Sequence, residues 1–252
     1  MNREFVSFAL ALQFLTRLPI DVGTHYSPEL FARSVRFYPL AGAIIGALGA
    51  LIYVLSSALF PHAVAVVCSL VGLLLITGAF HEDGLADCFD GLGGGTDRAA
   101  KLRIMRDSRL GTYGTLALLS VFALRAGVLI SFPANLIAWA LILSHSLSRL
   151  SAVFVIRGSR YVREEGTGKP VAHALDGAAF SFAVASGGVL LLLGATAAGF
   201  PALASGTLGL FLGHVVLRRW IEGHLGGYTG DTLGAIQQVS ELGFLLGWLA
   251  WL

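Results

Sequence analysis

Residues 64–80 read VAVVCSLVGLLLITGAF, and residues 81–91 read HEDGLADCFDG. The first stretch is almost pure hydrocarbon. The second packs four carboxylates, Glu82, Asp83, Asp87 and Asp90, into nine residues. An apolar run of this kind is a bilayer-crossing segment if others like it surround it, since a spanning helix needs about 20 predominantly apolar residues. Others do. Runs at about 38–60, 62–80, 111–131, 133–156, 179–200 and 201–221 have that length and character. A seventh, about 232–252, is apolar apart from QQVSE in its first half. An eighth, FVSFALALQFLTRLPI at 5–20, is short and carries Arg17; it spans, lies in the interface or re-enters.

Composition agrees. The chain of 252 residues is 56% hydrophobic and 13% charged, with 32 glycines. Its mean hydropathy is +0.77. Soluble domains carry about 25% charged residues. Only helices and closed barrels satisfy their backbone in lipid. The expected fold is therefore all-α: a polytopic integral membrane helical bundle of about seven to eight membrane segments, read as a single domain over 1–252 with the lipid bilayer as its partner. A net charge of +2 is too small to point to nucleic acid. Cys68 and Cys88 form neither a metal spacing nor a disulfide framework. No cleavable leader is expected, because Glu4 breaks the basic start and no small-residue cleavage site comes after it.

Charge sorts the loops. Arg17, Arg33 and Arg36; Arg98, Lys101, Arg103, Arg106 and Arg109; Arg157, Arg160, Arg163 and Lys169; and Arg218 with Arg219 make up 14 of the 17 basic residues. The turns near 61, 132 and 200 have none. The two kinds alternate, as the positive-inside rule requires, so the charged loops face the cytoplasm. The acidic cluster belongs to one of them. GAIIGALGALI at 42–52 sets Gly42 and Gly46 four apart, a small-residue face for a neighbouring helix.

Asp83, Asp87 and Asp90, spaced four and three, share one helical face, where like charges repel. A positive partner must compensate. Oxygen ligands without His or Cys suit a hard cation such as Mg²⁺, which takes one or two carboxylates and bridges to substrate phosphate. The bland alternative is a solvated acidic helix end. The adjoining segment, GLGGGTDRAAKLRIMRDSRLGTYG at 91–114, adds a glycine-rich turn and five basic residues. Arginines grip phosphate oxygens bidentately, although a basic stretch also anchors anionic lipid. Asp231 in HLGGYTGDTLGA (224–235) falls on the same membrane face, as a helix cap or a further metal ligand. Lys169 in REEGTGK (163–169) contacts phosphate or is merely solvated. Arg125, His145, Arg149, His214 and Glu241 fall inside expected spans, where charge is costly and so paired or functional. Arg149 and Glu241 are placed to line a cavity, Arg125 is equally suited to a structural ion pair, and the histidines read as hydrogen-bonded bundle residues.

Together, GAFHEDGLADCFDGLGGG, IMRDSRLGTYG, REEGTGK, GGYTGDTLGA and the opening QFLTRLP…FYPLAGAIIG resemble the cobalamin synthase family, the membrane-bound adenosylcobinamide-GDP ribazoletransferases. The blocks run in order from about residue 13 to 241. The resemblance implies a Mg²⁺-requiring enzyme of the bacterial cytoplasmic (inner) membrane, its active site facing the cytoplasm. It joins adenosylcobinamide-GDP to α-ribazole or its 5′-phosphate and releases GMP. Attack on a pyrophosphate needs in-line positioning and charge neutralisation. On that basis Asp83, Asp87, Asp90 and Asp231 are assigned to Mg²⁺, and Glu82 as ligand or base. Arg106, Arg109, Lys169 and Arg149 are assigned to substrate. Asp107 orients the arginines or acts as the base. The oligomeric state is left open, a homo-oligomer included. The CDP-alcohol phosphotransferases are similar in logic. Asp87, Asp90 and Gly91 match the start of their pattern, but Gly94 and Gly95 stand where Ala-Arg belongs. A cation-coupled transporter using Arg125, Arg149 and Glu241 is a competing class, which would spread polar residues through the midplane; a purely structural subunit is a third.

Overall fold

The computed structural model describes residues 2–163 and 175–252. Among these the chain is helical throughout, with one isolated bridge between Tyr161 and Tyr228. Helix α1 (Arg3–Leu15) starts at Asn2, whose side chain accepts from the Glu4 amide at 3.0 Å. At 13 residues it is too short to cross a bilayer. Its end is pinned where the Arg17 amide donates to the Ile76 carbonyl at 2.7 Å. Helix α2 (Pro28–Ser34), capped by Ser27, passes through the 3-10 turn Val35–Phe37 into α3 (Tyr38–Ser57), giving a 30-residue apolar run.

Helix α4 (His62–Thr77) then returns, and here the expectation of a span through residue 80 is corrected. Gly78 takes the left-handed conformation, φ +64, and ends the helix. Ala79, at φ +54, continues the reversal. The next helix, α5 (Phe80–Gly94), leaves at 86° to α4. A non-glycine residue held left-handed carries strain that the surrounding fold must maintain. The carboxylates therefore ride on a helix folded across the end of a short span.

Helix α6 (Arg98–Ile104) is capped by Asp97, and α7 (Thr112–Ser131), α8 (Ile137–Gly158), α9 (Gly177–Ala198), α10 (Phe200–Leu225) and α11 (Gly230–Leu249) complete the bundle. Among the described residues, five runs are long and apolar enough to cross a membrane: 28–57 and 112–131, then 134–158, 177–198 and 200–225. The bent α4–α5 pair makes a sixth. Helix α11 has the length, with 20 residues, but Gln237, Gln238, Ser240 and Glu241 lower its hydropathy. All four are buried, because α11 lies at the centre against α5, α7, α8 and α10. A buried helix can carry polar groups wherever its neighbours satisfy them.

The two ends of the bundle differ. At one end Tyr53 and His62 meet at 2.9 Å, His62 reaches the Ile130 carbonyl at 3.2 Å, and Phe132 packs on Trp248. The opposite end gathers the elbow, α6, the start of α7, the end of α10 and the start of α11. There Arg98 donates to the Leu225 carbonyl at 2.8 Å. The basic segments and the uncharged turns thus occupy opposite ends. Gly42 and Gly46 pack α3 onto α8 as expected: a methyl at either would collide with the carbonyls of His145 or Leu141. A second small-residue seam joins α10 to α11, where Gly209 faces Gly243.

Candidate active site at the elbow

The site begins with the faces of α5. Asp83 is exposed, Asp87 half-buried and Asp90 buried. Gly84 sits between them on the side facing α11. A methyl there would lie 2.8 Å from the Asp231 carbonyl oxygen, so its absence lets the first turn of α11 close on α5. That turn is fixed by a capping box between Thr229 and Thr232. Asp231 is thereby carried to the aspartates of α5 from more than 140 residues away in sequence. The charges of Asp231 and Asp83 both act on Asp87.

Two guanidiniums and a phenol stand on the Asp231 side. Arg163 donates to the Asp231 carboxylate at 2.5 Å and reaches the Met105 carbonyl at 3.5 Å. Tyr161 lies where Arg163, Asp231 and Arg106 all act on it, and burial raises its phenol above the usual range. Arg106 is exposed. Asp107 is held by Arg109 through both carboxylate oxygens, at 2.6 to 3.1 Å. That pairing pulls the Asp107 carboxyl down to about 2. An acid so strong is a poor base, so the geometry favours the orienting role over the catalytic one.

Other expected site residues are placed elsewhere. Asp90 accepts from the Gly111 amide at 2.7 Å and the Gly114 amide at 2.8 Å. Both oxygens are engaged in capping α7, whose own cap residue, Gly111, has no side chain to do so. Glu82 projects from another face of α5 into the interior, where Gln238 donates to it at 2.9 Å and Arg125 lies 3.7 Å away. It is not among the open aspartates. Arg149, 2% exposed, donates to the Nδ1 and carbonyl of His145. It faces a small cavity with Tyr38, His81 and Gly230 beneath the site. Lys169 lies outside the described residues. Glu241 pairs with Arg125 at 3.3 Å and His145 at 3.2 Å, and Gln237 donates to it at 2.6 Å. Arg125 is thus the structural ion-pair partner. His145 and His214 are hydrogen-bonded bundle residues, the latter to Ser151 at 2.7 Å.

Among the described residues, no three His, Cys, Asp or Glu side chains stand close enough to enclose an ion. Mg²⁺ does not ask for that: it takes one or two carboxylates and fills its shell with water and phosphate. The open groups, Asp83, Asp87 and Asp231, are all hard oxygen donors, and His81 is buried away from them. The donor set fits Mg²⁺.

Residues 7–249 match the family model described as cobalamin-5-phosphate synthase. The chain belongs to the cobalamin-5-phosphate synthase family. Relatives from this family include an adenosylcobinamide-GDP ribazoletransferase of Shewanella amazonensis, 43% identical, with 96% of this chain and 94% of the relative covered. Proteins of the same name from Leptothrix cholodnii (42% identical; 96% and 94% covered) and Ralstonia nicotianae (40%; 97% and 95%) are similarly close. No solved structure matches. For a cobalamin-5-phosphate synthase chain, Arg163 is a neighbour of the candidate site that sequence reasoning did not single out. In the sequence it is one cation of a basic loop. Its partner Asp231 is 68 positions away, and no local pattern links them.

Proposed function

We propose that this chain is an adenosylcobinamide-GDP ribazoletransferase, joining adenosylcobinamide-GDP to α-ribazole or its 5′-phosphate with release of GMP. Membership of the family and the names of its relatives support the reaction. The observation that carries the site is the closure of the Asp231 turn onto α5 at Gly84, beside Asp83 and Asp87, with Arg163 bonded to Asp231 at the basic end of the bundle. By the positive-inside rule that end faces the cytoplasm of a bacterial cell.

The ribazole hydroxyl oxygen bonds to the pyrophosphate phosphorus nearer cobinamide, and the bond to the bridging oxygen breaks to free GMP. Asp87, with Asp83 or Asp231, would hold Mg²⁺, which would neutralise pyrophosphate charge. Arg106 and Arg109 grip phosphate oxygens, with Asp107 fixing the Arg109 fork. Arg163 balances Asp231 and sets its orientation. The hydroxyl proton passes to an open carboxylate, Asp83 being the most exposed. Glu82, tied to Gln238 and Arg125, anchors α5 instead. The transporter reading loses support because the intramembrane charges pair with one another.

The test is GMP release by purified protein in nanodiscs supplied with both substrates, with and without Mg²⁺, comparing wild type with Asp87→Asn. A Mg²⁺-dependent wild type and a folded variant slowed at least about 100-fold, roughly 2.7 kcal/mol in the barrier, support the reading. Equal release by both removes Asp87 from the site. No release under any metal removes the reaction.

A further inference from the structure

A polar cleft of about 420 Å³ opens between the end of α1, the Thr77–Ala79 elbow and the first turn of α5. Small-ligand sites run from about 300 to 1,000 Å³. Asp83 forms one wall of this cleft, so it joins the carboxylate cluster directly, and Arg163 is not part of its lining. Arg17 forms another wall. Its stem lies over Gly78, where a methyl would collide with the guanidinium nitrogen Nε, and its amide is tied to Ile76. The guanidinium is exposed, and no ion pair engages it among the described residues. Two aromatic rings complete the cleft. Phe14 and Phe80 meet edge to face at 5.1 Å, and Phe80 remains 39% exposed. Gln13 adds an amide with both donor and acceptor capacity.

A seated guanidinium, exposed aromatic surface and a primary amide suit an aromatic base carrying a phosphate. Guanidinium forks match phosphate geometry, and aromatic faces accept bases of any sequence. The two flanks of the cluster then have separate tasks. The reaction proposed above brings together two groups of this chemistry, and the cluster has a guanidinium at two places: Arg17 in one cleft with Asp83, and Arg163 bonded to Asp231. Resting on that reaction, we propose that the α1–elbow cleft seats the base-bearing phosphate of one of the two substrates. Arg17 holds the phosphate there and Phe80 contacts the base.

The experiment measures binding of GMP and of α-ribazole 5′-phosphate, each beside its dephosphorylated form, to wild type, Arg17→Gln and Arg17→Lys in nanodiscs by calorimetry. KM for each substrate is measured in parallel. Arg17→Gln should weaken one phosphorylated ligand by about tenfold or more, a loss of one charge-assisted contact, and raise the matching KM. The other ligand serves as the internal control for folding and should hold within about twofold. Arg17→Lys should recover part of the loss. Whichever ligand responds names the occupant. Unchanged binding of both, equal weakening of both, or equal weakening of the dephosphorylated forms overturns the cleft assignment while GMP release by wild type leaves the reaction standing. A wild type that binds neither ligand and releases no GMP overturns both.

Discussion

At the scale of single residues, identical carboxylates on one short helix do different work, and variants should separate them. Asp90 spends both oxygens on α7 amides. Asp90→Ala should therefore cost about 2 kcal/mol of stability, a lost charged cap, read as a lower thermal midpoint. Asp87→Asn should leave that midpoint nearly unchanged. Asp107 makes a second contrast. Because Arg109 holds its carboxyl near 2, the charged form is favoured and the pair stays intact as pH falls, opening only as pH drops from the ordinary aspartate range near about 3.9 through the bound value. Asp107→Asn should lower kcat/KM by a constant factor between about pH 5 and 9 and leave the acidic limb of the profile in place. A limb that disappears would make Asp107 the base after all. The residue types and spacing of the cluster were legible in the sequence. Which carboxylate is open was not, because that depends on amides 21 and 24 positions downstream and on the inward tilt of Glu82 toward Gln238.

At the scale of elements, the spans were legible because apolar length is a local property. Their ends were less so. Gly78 and Ala79 bend the chain by 86° inside what reads as one continuous apolar run, and nothing in TGAF announces a left-handed alanine. Helix α11 misleads in the opposite direction: its polar residues depress its hydropathy, yet its neighbours satisfy them in the interior. The Gly42–Gly46 face was visible as spacing, and the same logic applies to the Gly209–Gly243 seam. Close approach of α5 and α11 is the contact that assembles the site. Gly84→Val should push the first turn of α11 away, carrying Asp231 from Asp87. Turnover should drop more than about tenfold, with Gly84→Ala intermediate, and the helical content by circular dichroism retained.

At the scale of the whole molecule, charge is arranged twice over: at one end for the site, and in the interior as a balanced set. Arg125, Glu241, Glu82 and Arg149 carry two charges of each sign; Gln237 and Gln238 link the first three, and Arg149 joins through His145. Glu241→Ala removes the closer of the two carboxylates paired with Arg125, leaves the buried set with one positive charge in excess and should cost about 3–5 kcal/mol, whereas Arg125→Leu with Glu241→Leu should recover much of it. Thermal unfolding of the three proteins in one detergent measures this. Hydropathy puts Arg125, Arg149 and Glu241 at membrane depth but cannot pair them, and it leaves Glu82 with the acidic cluster. The elbow has a larger consequence. Helix α4 has 16 residues and so rises about 24 Å, against a hydrocarbon thickness of about 30 Å. With its far end at the opposite surface, α4 stops about 6 Å short of that thickness, so a bilayer closing over the carboxylates of α5 would have to thin. That would set hydrophobic mismatch at the candidate site, at a cost that grows with every ångström of added thickness. Turnover should fall as acyl chains lengthen in nanodiscs of constant headgroup, while equal turnover throughout would set the elbow clear of the hydrocarbon. On the first outcome, the width of the membrane acts as a setting on the rate of the enzyme.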